Sequence, residues 1–263
     1  MTTTRTLPTT RTSSTTPGRS GWVLGVQGAS GGVGASVLTA GLAVRAAAAG
    51  LDVGLVDACP WGGGLDLLVG LDPEPGARWP DLATMRAPRG EALLAELPRT
   101  GGDAAGSLAV LSWTPAPPVA VPKPWSVIPA LGSCRDVVLI DLPPPGCESW
   151  QEWLDSCDDV VLLVGAGLDT LRAARGMVEG RGDFVGTVVR TAAVGVDPDW
   201  IQAWLGLPVL AELGEDRSVA ADLLRGRPVG SKGQVARVAE RLLADLMPAA
   251  TAGTDGPITG SAD

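Results

Sequence analysis

Two stretches of uninterrupted apolar residues constrain the fold of this chain most. Residues 136–141 read DVVLID, and residues 159–165 read DVVLLVG. Runs of Val, Leu and Ile without polar alternation are typical of parallel strands that helices cover on both faces. Because helical patterns separate the apolar runs, residues 21–247 are predicted to form one α/β domain, a mostly parallel twisted sheet with helices on both faces. The other strand candidates are residues 22–27, 52–57, 107–113, 184–190 and 208–213.

The segments between the strands give less uniform signals. Residues 114–124 contain five prolines and are predicted to be an extended loop. Residues 233–247 predict an amphipathic helix with Val235, Val238, Leu242, Leu243 and Leu246 on one face. The remaining predicted helices are residues 35–49, 81–97, 147–157, 168–179 and 199–205.

The two ends of the chain differ in composition from the middle. Residues 1–20 are rich in Thr, Ser and Pro, lack the apolar segment of a signal peptide and are predicted to be a disordered tail. Residues 248–263 have the same character and are predicted to be a second disordered tail. No run of 18 uncharged apolar residues lies between them, so we expect a cytoplasmic protein.

Composition excludes several classes of function. Lys and Arg total 20 against 29 Asp and Glu, a net charge of −9, so no specific nucleic acid is expected as a partner. Arginines 172, 175 and 181 allow a small basic face, although a solvated helix face is the favoured interpretation. The chain has no histidine, which excludes histidine-based acid–base chemistry and metal ligation. Its four cysteines form no CxxC pair and are expected to be reduced thiols.

A glycine-rich turn, residues 28–36, follows the first predicted strand and reads GASGGVGAS. Glycines allow backbone N–H groups to converge on an anion, and a helix that starts there adds the positive end of its dipole. The Ser36 hydroxyl is placed where it could hold Mg²⁺. Glycine-rich turns without any ligand also occur, but the length and position of this one favour phosphate binding or its vestige.

The turn resembles the deviant Walker A loop of the MinD/ParA family, K-G-G-V-G-K-[ST]. The resemblance implies an ATP site in which residues 31–36 cradle the phosphates, but both family lysines are missing, replaced by Ser30 and Ala35. Because phosphoryl transfer depends chiefly on positioning and charge, the losses should impair hydrolysis more than binding. The cofactor-binding residues that the resemblance implies are Gly31, Gly32, Val33, Gly34, Ala35 and Ser36.

Two carboxylates complete the site that the resemblance implies. Asp57 ends the second strand and matches the first acid of the family's D-x-D-P element, with Cys59 in place of the second acid. It would be the catalytic residue of an active enzyme, while a strand-end capping role is the structural alternative. Asp141 matches the Walker B aspartate, and its D-x-P-P-G continuation follows. Ser36, Asp57 and Asp141 are thus the implied metal ligands for Mg²⁺, with Asp141 acting through water.

No replacement cation is evident from the sequence. Arg45 lies too far along the first helix, and the sequence does not place Arg217 or Arg225. Arg190 stands where the family often has a nucleotide-reading Asn, which puts base recognition in doubt. We therefore expect at most a weak ATPase, with possible loss of ATP and Mg²⁺ binding.

Residues 62–70, GGGLDLLVG, are similar to the CpaE/TadZ-like branch of the family. That branch implies a homodimer that positions division or Tad-type pilus and secretion proteins at a pole or septum. Residues 215–217 are expected at a surface or dimer contact. Membrane contact is expected to be indirect at most, because the last helix is not net basic. The alternatives are an active positioning or partitioning ATPase and, less favoured, a metabolic P-loop enzyme.

Overall fold

A computed structural model describes residues 21–61, 64–84, 89–100, 106–114, 123–181, 183–191 and 197–248. Within these residues, seven strands form one sheet in the order β3-β2-β4-β1-β5-β6-β7, and every neighbouring pair is parallel. The predicted α/β fold class is confirmed. The strands are β1 Trp22–Gly28, β2 Val53–Asp57, β3 Leu108–Leu111, β4 Val137–Asp141, β5 Asp159–Gly165, β6 Gly186–Arg190 and β7 Val209–Leu213.

Helices cover both faces of the sheet. Along β4, the side chains of Val137 and Leu139 enter one buried cluster, and those of Val138 and Ile140 enter the other. Helices α1 and α9 pack on the first face, and α3 to α7 pack on the second. A 3-10 helix spans Trp79–Thr84. The α-helices are α1 Ala35–Ala48, α2 Leu65–Leu68, α3 Gly90–Glu96, α4 Pro124–Gly132, α5 Trp150–Asp155, α6 Leu168–Arg181, α7 Pro198–Leu205, α8 Arg217–Leu223 and α9 Gly233–Leu246.

The apolar face of α9 lies against α1 rather than at the surface. Val235, Val238, Leu242 and Leu243 are buried in the cluster that α1 also enters. The two helices approach closely at Gly41, where an added Cβ would lie 2.3 Å from Val235 Cγ1. The apolar face of the amphipathic helix that the sequence predicts is therefore buried within the domain. Among the described residues, no helix is both long enough and apolar enough to cross a bilayer.

Several helix boundaries differ from those that the sequence predicts. Pro124 is the first residue of α4, not the end of a loop, and a second proline lies inside that helix. Proline suits a first helical position because its missing N–H would have no partner there. The predicted helix at 147–157 is confined to α5, and the one at 81–97 divides into the 3-10 helix and α3. Residues 115–122 and both predicted tails, apart from Pro248, lie outside the described residues, so disorder in the tails stays a prediction.

Candidate functional site

The glycine-rich loop lies at the centre of the sheet's carboxyl edge. It leaves β1, which lies between β4 and β5, and it leads directly into α1. The backbone N–H of Ala29 donates to the carbonyl of Leu163 at 2.9 Å, which fixes the start of the loop to β5. Ligands of open α/β sheets bind at such a switch point, where connections diverge to opposite halves of the sheet.

Two glycines have backbone angles that shape this loop. Gly32 has φ of +74°, and Gly34, immediately before α1, has φ of +103°. These left-handed values strain residues that carry a Cβ. The first N–H groups of α1 have no partner inside the helix and carry its positive dipole end. A Cβ at Gly31 or Gly32 would contact nothing within 4 Å, so the loop is open toward a ligand on that side.

The three predicted metal-binding residues come together beside this loop. Asp57 ends β2 and Asp141 ends β4, and the two are direct register partners in the sheet. Both are buried, with exposures of 2% and 4%. The Ser36 hydroxyl, in the first turn of α1, hydrogen-bonds to the Asp141 carboxylate. The structure thus juxtaposes two carboxylates and one hydroxyl; their role toward a metal stays a prediction.

Backbone and indole donors hold Asp57 in place. Its Oδ1 accepts the N–H of Cys59 at 3.0 Å, which is the turn-capping contact that the sequence allows as a structural alternative. Its backbone carbonyl accepts the indole N–H groups of Trp79, at 2.7 Å, and of Trp113, at 3.1 Å. The two indoles stack with centroids 5.8 Å apart. Because Trp79 is fully buried, the carboxyl end of β2 is rigidly anchored.

Burial changes the acidity of both carboxyl groups. Removal from water, reinforced by the neighbouring Asp141 charge, raises the pKa of Asp57 to about 8. Burial raises the pKa of Asp141 to about 6, and the Ser36 hydrogen bond opposes that rise. Within the described residues, no Lys or Arg forms an ion pair with either carboxylate.

A divalent cation fits this donor set. Carboxylate and hydroxyl oxygens are hard ligands of the kind that Mg²⁺ prefers, and its positive charge would relieve the repulsion between the two acids. The described part of the chain contains no group of three or more acidic, Cys or His side chains that could hold a metal by themselves. Substrate phosphates and water would therefore have to complete the shell, as is usual for Mg²⁺ bound with a nucleotide.

Arg190, which stands at the position of the family's nucleotide-reading Asn, contacts the glycine-rich loop. Arg190 ends β6, and its Nη1 donates to the carbonyl of Val33 at 2.9 Å. Arg190 and residues 30–33 line a cavity of about 250 Å³, and Thr170 and Thr191 also contribute to its lining. No sequence signal could have revealed this contact, because it depends on how far β6 lies from β1.

Two of the other cations considered from the sequence make contacts elsewhere. Arg45 pairs with Glu240 of α9 at 2.8 Å, and Arg225 donates to the carbonyl of Ala221 within the α8 segment. Asp216 accepts hydrogen bonds from backbone N–H groups at the starts of α8 and α9, and its expected place at a surface or dimer contact stays a prediction. Asp216 therefore has a structural role inside the subunit.

Comparisons with known proteins agree with this architecture. No family model matches the sequence. Two uncharacterized proteins of Mycobacterium tuberculosis, Rv3660c of strain H37Rv and MT3760 of strain CDC 1551, are each 33% identical to it over 246 residues. That alignment covers 90% of this chain and 67% of theirs.

Solved structures with the same fold are more distant in sequence. The septum site-determining protein MinD of Pyrococcus horikoshii, complexed with Mg-ADP, aligns with a TM-score of 0.67 and 22% identity over 84% of this chain and 95% of its own. A ParA family ATPase from Chlorobium tepidum has a TM-score of 0.66 at 18% identity, over 84% and 97%. MinD in the MinC:MinD complex of Aquifex aeolicus aligns with a TM-score of 0.67 and 19% identity, and the alignment covers 87% of this chain and 98% of that one. The chain therefore belongs to the family of the uncharacterized mycobacterial proteins and has the fold of the MinD/ParA P-loop ATPases.

Proposed function

We propose that this chain is a MinD/ParA-like positioning factor that responds to a nucleotide and has weak or absent ATPase activity. It acts in septum-site placement or in the localisation and assembly of a Tad-type pilus or secretion system. One observation carries the proposal: an open glycine-rich loop leads into Ser36, which contacts one of two buried, adjacent carboxylates, but positions 30 and 35 hold no lysine. Such a site would offer backbone donors and metal ligands to a nucleotide, but it would lack much of the charge that accelerates phosphoryl transfer.

Each part of the proposed site has a separate task. Residues 31–36 direct backbone N–H groups toward the phosphates. Ser36, Asp57 and Asp141 would hold Mg²⁺, with Asp141 acting through water. The metal would neutralise phosphate charge. Asp57 would orient a water molecule if hydrolysis occurs, and its burial keeps it in one position. The Mg-ADP that the P. horikoshii MinD structure contains supports this choice of ligand.

Exposed apolar side chains at the same edge of the sheet support a homodimer. Trp61, four residues after β2, is 78% exposed, and Leu168, three residues after β5, is 75% exposed. A face-to-face dimer across the loops would bury both, and a bound nucleotide would stabilise it. The A. aeolicus MinD forms a complex with MinC, which supports a division protein as partner. A cytoplasmic protein recruited to a pole or septum, with membrane contact through partners only, fits this proposal.

Calorimetric titration of MgATP together with a steady-state phosphate-release assay tests the proposal. We expect the wild type to bind MgATP and to release phosphate at nearly the background rate, which Asp57→Ala does not change. Rapid release that Asp57→Ala abolishes would establish the alternative, an active ATPase that drives a positioning or partitioning cycle. If only an Ala35→Lys variant binds MgATP, the loop is a vestige and a nucleotide response is ruled out.

The positioning role needs a cellular readout. A fluorescent fusion of the full chain is expected to concentrate at a pole or septum, and light scattering should show a dimer that MgATP strengthens. A Trp61→Ser and Leu168→Ser double variant should weaken that dimer, whereas the same change at exposed Leu224 should not. A uniform distribution of the fusion in the cell would contradict the positioning role.

A further inference from the structure

Arg190, the last residue of β6, brings a positive charge to the glycine-rich loop, which has no lysine at positions 30 and 35. Arg190 Nη1 lies 2.9 Å from the Val33 carbonyl oxygen. The same nitrogen lies 3.0 Å from the position that a Cβ on Gly34 would occupy. The guanidinium therefore rests directly on the last two loop residues before α1.

The sheet leaves a path for this side chain. β5 separates β6 from β1, and the register partner of Arg190 on β5 is Gly165. Two strand spacings amount to about 10 Å, a gap that an arginine can bridge only if the strand between carries no side chain in the way. Gly165 carries no side chain, and a Cβ added there would meet Thr170 rather than Arg190. A Cβ on Gly34 would lie 3.0 Å from Arg190 Nη1, so the close approach of the guanidinium depends on that glycine.

A guanidinium at this position suits a phosphate ligand. It carries five N–H donors in a planar fork that matches phosphate oxygens, and the Val33 carbonyl accepts one of them. The cavity beneath it is also lined by Ser30 and Gly31 of the loop and by the hydroxyl-bearing Thr170 and Thr191. Loop amides, hydroxyl groups and one permanent positive charge thus converge on the same space.

We infer that Arg190 is the cation that binds the polyphosphate group of a nucleotide in this loop, in place of the lysines missing at positions 30 and 35. This inference rests on the proposed function, because it assumes that the loop takes a nucleotide. It assigns Arg190 to phosphate binding rather than to recognition of the base. It would allow a loop without lysine to bind a nucleotide while hydrolysis stays slow, since the charge comes from β6 and not from the loop itself.

Titration of MgADP and of inorganic tripolyphosphate into the full-length protein tests this role. Arg190→Gln should weaken binding of both ligands on the order of 10- to 100-fold, the usual effect of losing a charged hydrogen bond. Arg190→Lys should retain part of the affinity, because it keeps the charge and loses the fork. Arg241→Gln is the charge-matched control: Arg241 pairs with Asp245, and its neighbour Glu240 binds Arg45 in the last turn of α1, away from the loop.

A rescue variant separates charge from loop shape. Adding Ala35→Lys to Arg190→Gln should restore binding at least tenfold, because it returns a cation to the phosphates from the other side of the loop. If the loss persists in the double variant, Arg190 maintains the shape of the loop and the inference is wrong. It is equally wrong if Arg190→Gln weakens MgADP but not tripolyphosphate, because the arginine would then read the base.

The outcomes also distinguish this inference from the proposed function. Unchanged binding in Arg190→Gln overturns the inference and leaves the nucleotide-responsive positioning factor standing. Rapid, Asp57-dependent turnover by the wild type overturns the weak-ATPase proposal, while a loss of tripolyphosphate binding in Arg190→Gln still supports the role of Arg190. A wild type that binds neither ligand overturns both.

Discussion

Replacing Asp57 by Asn should make the protein more stable at high pH and change little at low pH. Asp57 is 2% exposed, and burial next to Asp141 raises its pKa from 3.8 to about 8. A carboxyl group with a raised pKa holds its proton more tightly in the folded state than in the unfolded state. The contribution of protonated Asp57 to the free energy of unfolding is complete below about pH 4, and it is lost as the pH rises toward 8.

The size of the effect follows from that difference in pKa. Each pKa unit corresponds to about 1.4 kcal/mol, so the shift of roughly four units sets an upper limit of about 6 kcal/mol on the cost of ionising Asp57. Water entry and relaxation reduce such costs, and about 2–3 kcal/mol is the expected gain of the variant at pH 9. Asn is nearly isosteric and its side-chain oxygen can still accept the Cys59 N–H, so this backbone contact survives.

Urea unfolding in EDTA at pH 5, 7 and 9 measures this gain. The difference in unfolding free energy between Asp57→Asn and wild type should grow with pH, while exposed Asp72→Asn should show no such trend. Added Mg²⁺ should stabilise the wild type at pH 9 more than the variant, because the ion binds the ionised pair. A difference that is the same at all three pH values would refute the argument from burial.

Two further substitutions test the local structure. Gly34→Ala should cost about 1–2 kcal/mol of unfolding free energy, because it forces a φ of +103° on a residue with a Cβ. Gly31→Ala is the control: its added Cβ would meet no atom within 4 Å, so it should lower the melting temperature far less. Equal losses in the two variants would contradict this account. Asp216→Ala should cost about 1–2 kcal/mol in chemical unfolding because it removes acceptors from the starts of both α8 and α9. Exposed Glu215→Ala is its control, and an Asp216 variant as stable as that control would remove the capping role.

Local signals were sufficient for the strands and for the loop that follows the first of them. All seven strands were predicted, because continuous apolar runs such as residues 159–165 have few alternatives to a buried parallel strand. The glycines of residues 31–34 likewise indicated a tight turn between the first strand and the first helix, and its binding of an anion stays a prediction. Helix α4 was missed because proline is usually associated with loops, whereas Val127, Ile128 and Leu131 stabilise this helix by packing in the core.

The amino-acid sequence by itself determined the α/β class, the glycine-rich loop after the first strand and the absence of lysine from that loop. Those properties follow from residue type and spacing along a few consecutive positions. Only the tertiary structure decided that the side chains of Ser36 and Asp141 meet beside Asp57, and that Arg190 crosses β5 at Gly165 to reach Val33. These contacts join residues up to 157 positions apart, so they depend on strand order and register, which no local pattern encodes.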